Sequence, residues 1–177
     1  GFGAMTHMIV TVAAIASRVK QALPDTVIVL GGFHGSFLPE RTKREFPVFD
    51  FIVIGEGEMA FAELATNLLE GRPYHLTPGL CFEHDGEIVN TGRGSVPPTL
   101  DELGEPGWHL FDPDVIERHC HKLMLMTMRG CPFSCNFCSR PYGQFVRRRT
   151  PALVVDEIER NWRRYRNVEI GFCDETF

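Results

Sequence analysis

Three thiols crowd into one short stretch, Arg129-Gly130-Cys131-Pro132-Phe133-Ser134-Cys135-Asn136-Phe137-Cys138. Their spacing is Cys-x3-Cys-x2-Cys, tight enough to wrap a single metal centre with each sulfur facing inward. Iron–sulfur clusters usually take four cysteines, so three leave one iron open to an outside ligand. An open coordination position is the mark of a catalytic rather than a structural metal. Two other chemistries compete. A zinc knuckle would recruit His119 or His121 as a fourth ligand, but such motifs mostly come as two Cys-x2-Cys pairs and this loop holds one. A disulfide framework suits small, loop-dominated secreted chains, which this is not. Cys81, Cys120 and Cys173 show no ligand spacing and read as small buried hydrophobes.

The elements that must position this loop can be read around it. Lys122-Leu123-Met124-Leu125-Met126-Thr127-Met128 is a strand pattern, which puts the thiols at a strand's carboxyl end, where open α/β sheets and barrels keep their chemistry. Thr150 as cap and Pro151 at the first turn predict a helix to about Tyr165, and Val168–Phe172 predicts the next strand.

Upstream, Gly1–Thr6 reads as a strand end. Thr6 is placed to cap a helix running to about Leu23, with Pro24 as its stop. Thr26–Leu30 and Asp50–Ile54 are short apolar strands, each followed by glycines: Gly31-Gly32-Phe33-His34-Gly35 and Gly55-Glu56-Gly57-Glu58. A helix is predicted from near Pro39. Another is predicted over Glu58–Leu69, with Met59, Phe61, Leu64, Leu68 and Leu69 as its apolar face. Alternating strands and helices argue for a parallel sheet with right-handed crossovers. Glycines just after its strands let a ligand approach the backbone closely. His84-Asp85-Gly86 between two short runs predicts a hairpin. Pro97, Pro98, Pro106 and Pro113 then mark an extended connector.

At 177 residues and 44% hydrophobic content, the chain can bury a real core in one domain or one and a half. No apolar run is long enough to span a bilayer. Charge is uneven. Residues 1–116 carry 7 Lys+Arg against 16 Asp+Glu, and residues 117–177 carry 11 against 7. Arg147, Arg148, Arg149, Arg160, Arg163, Arg164 and Arg166 make up the basic excess. A nucleic-acid surface competes here with a solvated helix face and cations near an anionic cofactor, and the second reading is preferred. The number of free thiols fits a reducing cytoplasm.

With these residues in place, a resemblance emerges. Cys131, Cys135 and Cys138, with Phe137 before the last cysteine, resemble the signature of radical S-adenosylmethionine (radical SAM) enzymes. Arg149-Thr150-Pro151 with Val154–Ile158, and Gly171-Phe172-Cys173-Asp174-Glu175-Thr176-Phe177, resemble the first helix and second strand of their barrels. The resemblance implies a [4Fe-4S] cluster on the three cysteines and SAM on the open iron. It also implies Phe137 near the adenine, and Asp174 or Glu175 in a hydrogen bond to SAM. For the two acids, capping of the following helix is an equal alternative. Arg129 and Arg140 flank the loop, either offsetting thiolate charge or facing solvent.

Gly31-Gly32-x-His34 with Pro39-Glu40, and the run from Asp50 to Glu58, resemble the second half of the cobalamin-binding domain that precedes many radical SAM barrels. Leu100–Leu103 through Trp108 resembles the connector. By this resemblance Gly31, Gly32, His34, Gly55, Glu56 and Gly57 line the cobalamin site, although His34 reads equally well as a residue that shapes its turn. Gly3 and Met5 depart from the Ser-x-Leu element of the family.

The implied fold is α/β: the C-terminal half of a flavodoxin-like (Rossmann-like) cobalamin-binding domain over 1–73, a hairpin and Pro-rich linker over 74–116, and the start of a radical SAM (β/α) barrel over 117–177. The sequence reads as a fragment cut at both ends and is expected to be inactive alone. The implied activity is reductive cleavage of SAM to drive radical chemistry, with methyl transfer to an unactivated carbon of a small molecule preferred. The cofactors are a [4Fe-4S] cluster, SAM and cobalamin, and an electron donor such as a flavodoxin or ferredoxin is implied. Oxidative cyclisation or ring rearrangement is the alternative. A methylthiotransferase is less favoured because the first domain offers only Cys81. A zinc-bound interaction module is the non-enzyme reading.

Overall fold

The computed structural model describes residues 1–165 and 168–176; Arg166 of the basic group and Phe177 of the last predicted element lie outside the described residues. The chain divides into two compact units, Gly1–Val96 and Pro97–Phe177.

The first unit is a five-stranded sheet in sequence order: β1 (Phe2–Gly3), β2 (Val29–Gly31), β3 (Phe51–Val53), β4 (Leu80–His84) and β5 (Glu87–Asn90). β1, β2 and β3 are parallel, and β4 and β5 add antiparallel to them. Four helices accompany the strands: α1 (Ile9–Ala22), α2 (Phe33–Phe37), α3 (Pro39–Glu45) and α4 (Gly57–Leu69). Side chains alternate across this sheet, as period-2 geometry requires. Leu30, Ile52, Ile54 and Cys81 join the α1 residues Ile9, Val12, Ala13 and Ala16 in one core. Val29, Phe51, Val53, Leu80 and Phe82 join Ala60 and Leu64 of α4 in the other. A sheet covered on both faces is why its strands are continuous apolar runs rather than alternating ones.

Two expectations change here. The hairpin turns at Asp85 and Gly86, both at positive φ, as a two-residue turn matched to strand twist demands. It belongs to the first unit's sheet and not to a connector, because Ile52 pairs with Cys81 and Cys81 with Asn90. The buried face of α4 is narrower than predicted. Ala60, Leu64 and Asn67 are buried, whereas Met59, Phe61 and Leu69 are exposed. Successive residues turn by about 100°, so positions 60, 64 and 67 share a face that 59 and 61 flank.

The second unit begins with short 3-10 turns at Leu100–Leu103 and Trp108–Leu110, followed by α5 (Pro113–His119). β6 (Lys122–Leu125) and β9 (Glu169–Phe172) pair in parallel, with α6 (Pro151–Arg164) in the connection between them. The core is Ile116, Leu123, Tyr165 and Val168, and the Tyr165 hydroxyl donates to the Trp108 carbonyl at 2.8 Å. The single strand predicted over 122–128 is in fact broken. After Leu125 the chain turns at Met126–Thr127 and resumes as β7 (Met128–Arg129), which pairs antiparallel with β8 (Arg147–Arg148).

Neither predicted threonine cap acts as one. Thr150 stands at the cap position of α6 without a side-chain cap bond. Its hydroxyl and N–H instead donate to the two oxygens of Asp101, at 2.6 and 2.8 Å. Those bonds hold the Asp101 carboxyl below the usual carboxylate range. Thr6 opens a 3-10 turn, and its hydroxyl is used by His34.

Candidate cofactor sites

In the first unit the glycines gather at the carboxyl ends of β2 and β3. Gly31, Gly32, Gly55 and Gly57 line a predominantly apolar groove of about 300 Å3, together with Phe2, Val29, Val53, Glu58 and Phe61. Gly32 has φ +87°, and a Cβ there would stand 2.8 Å from the Ala4 nitrogen. The turn therefore requires glycine. Ser36 ties the two glycine turns together: its hydroxyl donates to the Gly32 carbonyl and accepts from the Gly55 N–H, both at 2.9 Å. Five glycines along an apolar groove, Gly1 included, leave backbone open to a bulky, flat ligand, so the residues present fit a cobalamin tail.

Two residues expected at this site are placed apart from the groove lining. His34 is buried, with Nδ1 3.2 Å from the Thr6 hydroxyl and its backbone N–H donating to the Ala4 carbonyl. Burial lowers its pKa, favouring the neutral ring. Glu56 is buried at the start of α4. Phe61, expected on the buried face of α4, and Glu58, at its start, instead line the groove.

In the second unit the cysteine loop follows β7. From Gly130 to Val146 it contains turns but neither helix nor strand. Cys131 is half-buried, and Cys135 and Cys138 are exposed; none is in a disulfide. Among the described residues no group of three or more His, Cys, Asp or Glu side chains is gathered as a metal site. The thiols thus share a loop without converging, and His119 and His121 do not join them. Turn bonds run within the loop: Cys131 N–H to Gly143 O and Cys138 N–H to Cys135 O, both 3.1 Å, and Gly143 N–H to Arg140 O at 3.0 Å. A donor set of three free thiols in a loop without regular structure fits a cluster that itself draws the sulfurs together. Phe137 is 89% exposed beside them. Gly130, at φ +95°, could not carry a Cβ, which would meet the Phe145 carbonyl.

The other cysteines differ. Cys81 is fully buried, and burial pushes its thiol up to about 11. Cys120 is half-buried and Cys173 exposed, so of the three only Cys81 is the buried hydrophobe expected; partial desolvation still shifts the Cys173 thiol up, and its Sγ donates to the Leu125 carbonyl. Neither Cys81 nor Cys173 is poised as a thiolate.

Asp174 and Glu175, at the end of β9, reach the strand break and the loop entrance. Asp174 Oδ1 accepts from Thr127 N–H at 2.6 Å and Met128 N–H at 3.1 Å, while Oδ2 accepts from the Thr127 hydroxyl at 2.5 Å. Glu175 Oε2 accepts from Gly130 N–H at 3.1 Å. Arg129 lies over the Tyr142 ring at 5.2 Å. Arg149 is buried against Glu157 of α6. Arg160 pairs with Glu105 and Arg163 with Glu159, while Arg164 reaches the His109 carbonyl. Of the arginines in the basic group, Arg149, Arg160 and Arg163 are thus paired with carboxylates within the unit. Among the described residues no helix is long and apolar enough to cross a membrane.

Comparison with known proteins adds five findings. The B12 binding domain family matches residues 1–65. An uncharacterized methyltransferase of Pyrococcus horikoshii is 35% identical over 170 residues, 94% of this chain and 36% of the relative. The anaerobic magnesium-protoporphyrin IX monomethyl ester cyclase of Rubrivivax gelatinosus is 34% identical, over 90% of this chain and 30% of the relative. The cobalamin-dependent radical SAM methyltransferase TokK of Streptomyces tokunonensis is 32% identical, over 92% of this chain and 25% of the relative. Among solved structures, the cobalamin-dependent S-adenosylmethionine radical enzyme OxsB, with aqua-cobalamin and S-adenosylmethionine bound, superposes with a TM-score of 0.75. The identity there is 21%, and the match covers 100% of this chain and 25% of that one. The chain thus spans between a quarter and just over a third of the relatives it matches.

Proposed function

We propose that the chain belongs to the radical SAM superfamily, in the class that carries a B12-binding domain, and is part of a cobalamin-dependent methyltransferase acting on an unactivated carbon of a small molecule. The observation that carries this reading is the pairing, in one chain, of a glycine-lined groove at a sheet's carboxyl end with a loop of three free thiols. On this reading the first unit, hairpin included, is the second half of a flavodoxin-like cobalamin domain, and β6, α6 and β9 of the second unit are the first strand–helix–strand unit of a (β/α) barrel.

Cys131, Cys135 and Cys138 would hold the [4Fe-4S] cluster. Gly31, Gly32, Gly55 and Gly57 would admit the cobalamin tail, with His34 and Glu56 shaping the turns behind them. When bound, these groups supply an electron for reductive cleavage of SAM and a carrier for the methyl group; the protein positions them and excludes water. Phe137 offers an exposed ring for the adenine. Of the two acids, Glu175 is the better SAM contact, because both oxygens of Asp174 are already engaged by the Thr127 turn. The reducing electron comes from a donor protein of the flavodoxin or ferredoxin type.

Purified protein should carry cobalamin in stoichiometric amount, read from its visible absorbance. Full activity without bound cobalamin would overturn the proposal. The similarity to an anaerobic cyclase sustains a second reading, oxidative cyclisation of a tetrapyrrole-like substrate. Product mass separates the two, since methylation adds one carbon and cyclisation adds none.

A further inference from the structure

The strand expected to run unbroken into the cysteine loop breaks at Met126–Thr127, and the break is fastened from two sides. Every polar group of Thr127 is bonded. Its N–H and hydroxyl donate to Asp174 at 2.6 and 2.5 Å, and its carbonyl accepts from the Arg149 N–H at 2.9 Å. The next N–H, of Met128, also donates to Asp174 at 3.1 Å. Arg149 adds a guanidinium bond to the Met126 carbonyl at 3.4 Å and is itself held by the buried Glu157. Further along, Gly130 N–H is taken by Glu175 and Cys131 N–H by Gly143. The backbone is thus fixed from Met126 up to Cys131. Beyond it, Cys135 and Cys138 share a turn bond and are exposed.

We propose that Asp174 is a positioning residue: by clamping the turn at Thr127 it sets where Cys131 stands, so that Cys131 is the preset ligand around which the other two thiols gather. The part about the cluster rests on the function proposed above. The clamp itself does not, because its bonds are within the protein. A residue that orients a ligand from behind contributes strongly to metal retention, and its loss typically costs about 10- to 100-fold.

The chemistry of the pair provides a discriminating test. In Asp174→Asn, Oδ1 still accepts from both N–H groups, and the new amide donates to the Thr127 hydroxyl, which can turn to accept. The clamp survives and the charge does not. Asp174→Ala loses both. Amide hydrogen exchange in the metal-free protein should show Thr127 and Met128 protected in the wild type and in Asp174→Asn, and opened in Asp174→Ala. After anaerobic reconstitution, Asp174→Ala should lose iron to a chelator about 10- to 100-fold faster. Its cluster spectrum should also be altered before any SAM is added. Asp174→Asn should match the wild type in both and retain SAM affinity. If Asp174→Ala does not fold, Thr127→Val reads the same clamp, with partial opening and a several-fold rise in iron loss expected. Unchanged exchange and iron retention in Asp174→Ala would overturn the proposal, as would Asp174→Asn losing SAM affinity with an unaltered cluster. A wild-type protein that takes up no cluster would overturn the functional reading, and the amide exchange would still decide the clamp.

Discussion

The two units hold their candidate sites by different means. In the first, glycine turns stand at the end of a sheet with helices on both faces, where packing and backbone pairing place them. In the second, the cysteine loop leaves a strand whose side chains alternate between exposed Lys122 and Met124 and buried Leu123 and Leu125. Its placement depends on side chains that reach over from distant sequence positions: Asp174 to Thr127, Glu175 to Gly130, Arg149 to Met126. A site held by core packing tolerates loss of a single hydrogen bond. A site held by a few charged side chains does not, because hydrogen bonds to charged groups each contribute about 1.5–3 kcal/mol.

The sharpest way to separate the units is to remove their chemistry one at a time. Cys131→Ser, Cys135→Ser or Cys138→Ser should each abolish stoichiometric iron–sulfur content by elemental analysis, while cobalamin absorbance stays at the wild-type level. The same replacement at Cys81 should leave iron content unchanged, since that thiol lies in the sheet core.

Backbone substitutions come next. Gly32→Ala adds left-handed strain and a clash with Ala4. It should cost about 2–4 kcal/mol in chemical denaturation and abolish cobalamin binding, with iron content preserved. Gly130→Ala drives a Cβ into the Phe145 carbonyl and should do the converse, losing iron with cobalamin retained. If both variants lost both cofactors, the two sites would not be independently held.

A smaller effect is expected at Ser36. Ser36→Ala removes the bridge between the glycine turns and should weaken cobalamin binding about 5-fold, the equivalent of a net hydrogen bond of about 1 kcal/mol. Titration with aquacobalamin measures it. The smallest effect concerns Asp101. Its carboxyl is held below its ordinary value by the hydroxyl of Thr150 and then by the Thr150 N–H. A depressed carboxylate stabilises the fold at pH values above its unfolded pKa, and that contribution is lost as pH falls through the folded value. Acid unfolding of the wild type should therefore show a shallow loss of stability below about pH 4 that Asp101→Asn lacks. Equal acid profiles would mean the pair contributes nothing in solution.

The same contrast explains what could be read from the sequence. β2 and β3 were legible because burial on both faces writes them as Ile28-Val29-Leu30 and Phe51-Ile52-Val53-Ile54, each followed by glycine. The Asp85-Gly86 turn was legible because positive φ at two successive residues restricts residue choice. The cysteine spacing was legible because ligands on one loop lie close in sequence. The break at Met126–Thr127 was not, because Met-Thr-Met is as strand-like as what precedes it, and the carboxylate that causes it lies 47 residues away in sequence. Thr150 was read as a cap because its local pattern fits one, while its actual partner, Asp101, lies 49 residues away in sequence. Local periodicity carries packing; it does not carry side-chain bonds between distant segments.

In the proposed function Cys131, Cys135 and Cys138 hold a cluster with one iron open to SAM. The direct measurement is electron paramagnetic resonance of the anaerobically reconstituted, reduced protein with and without SAM. A reduced-cluster signal that changes on addition of SAM is the expected result. A silent spectrum with stoichiometric zinc in place of iron would contradict it and return the three cysteines to a structural role.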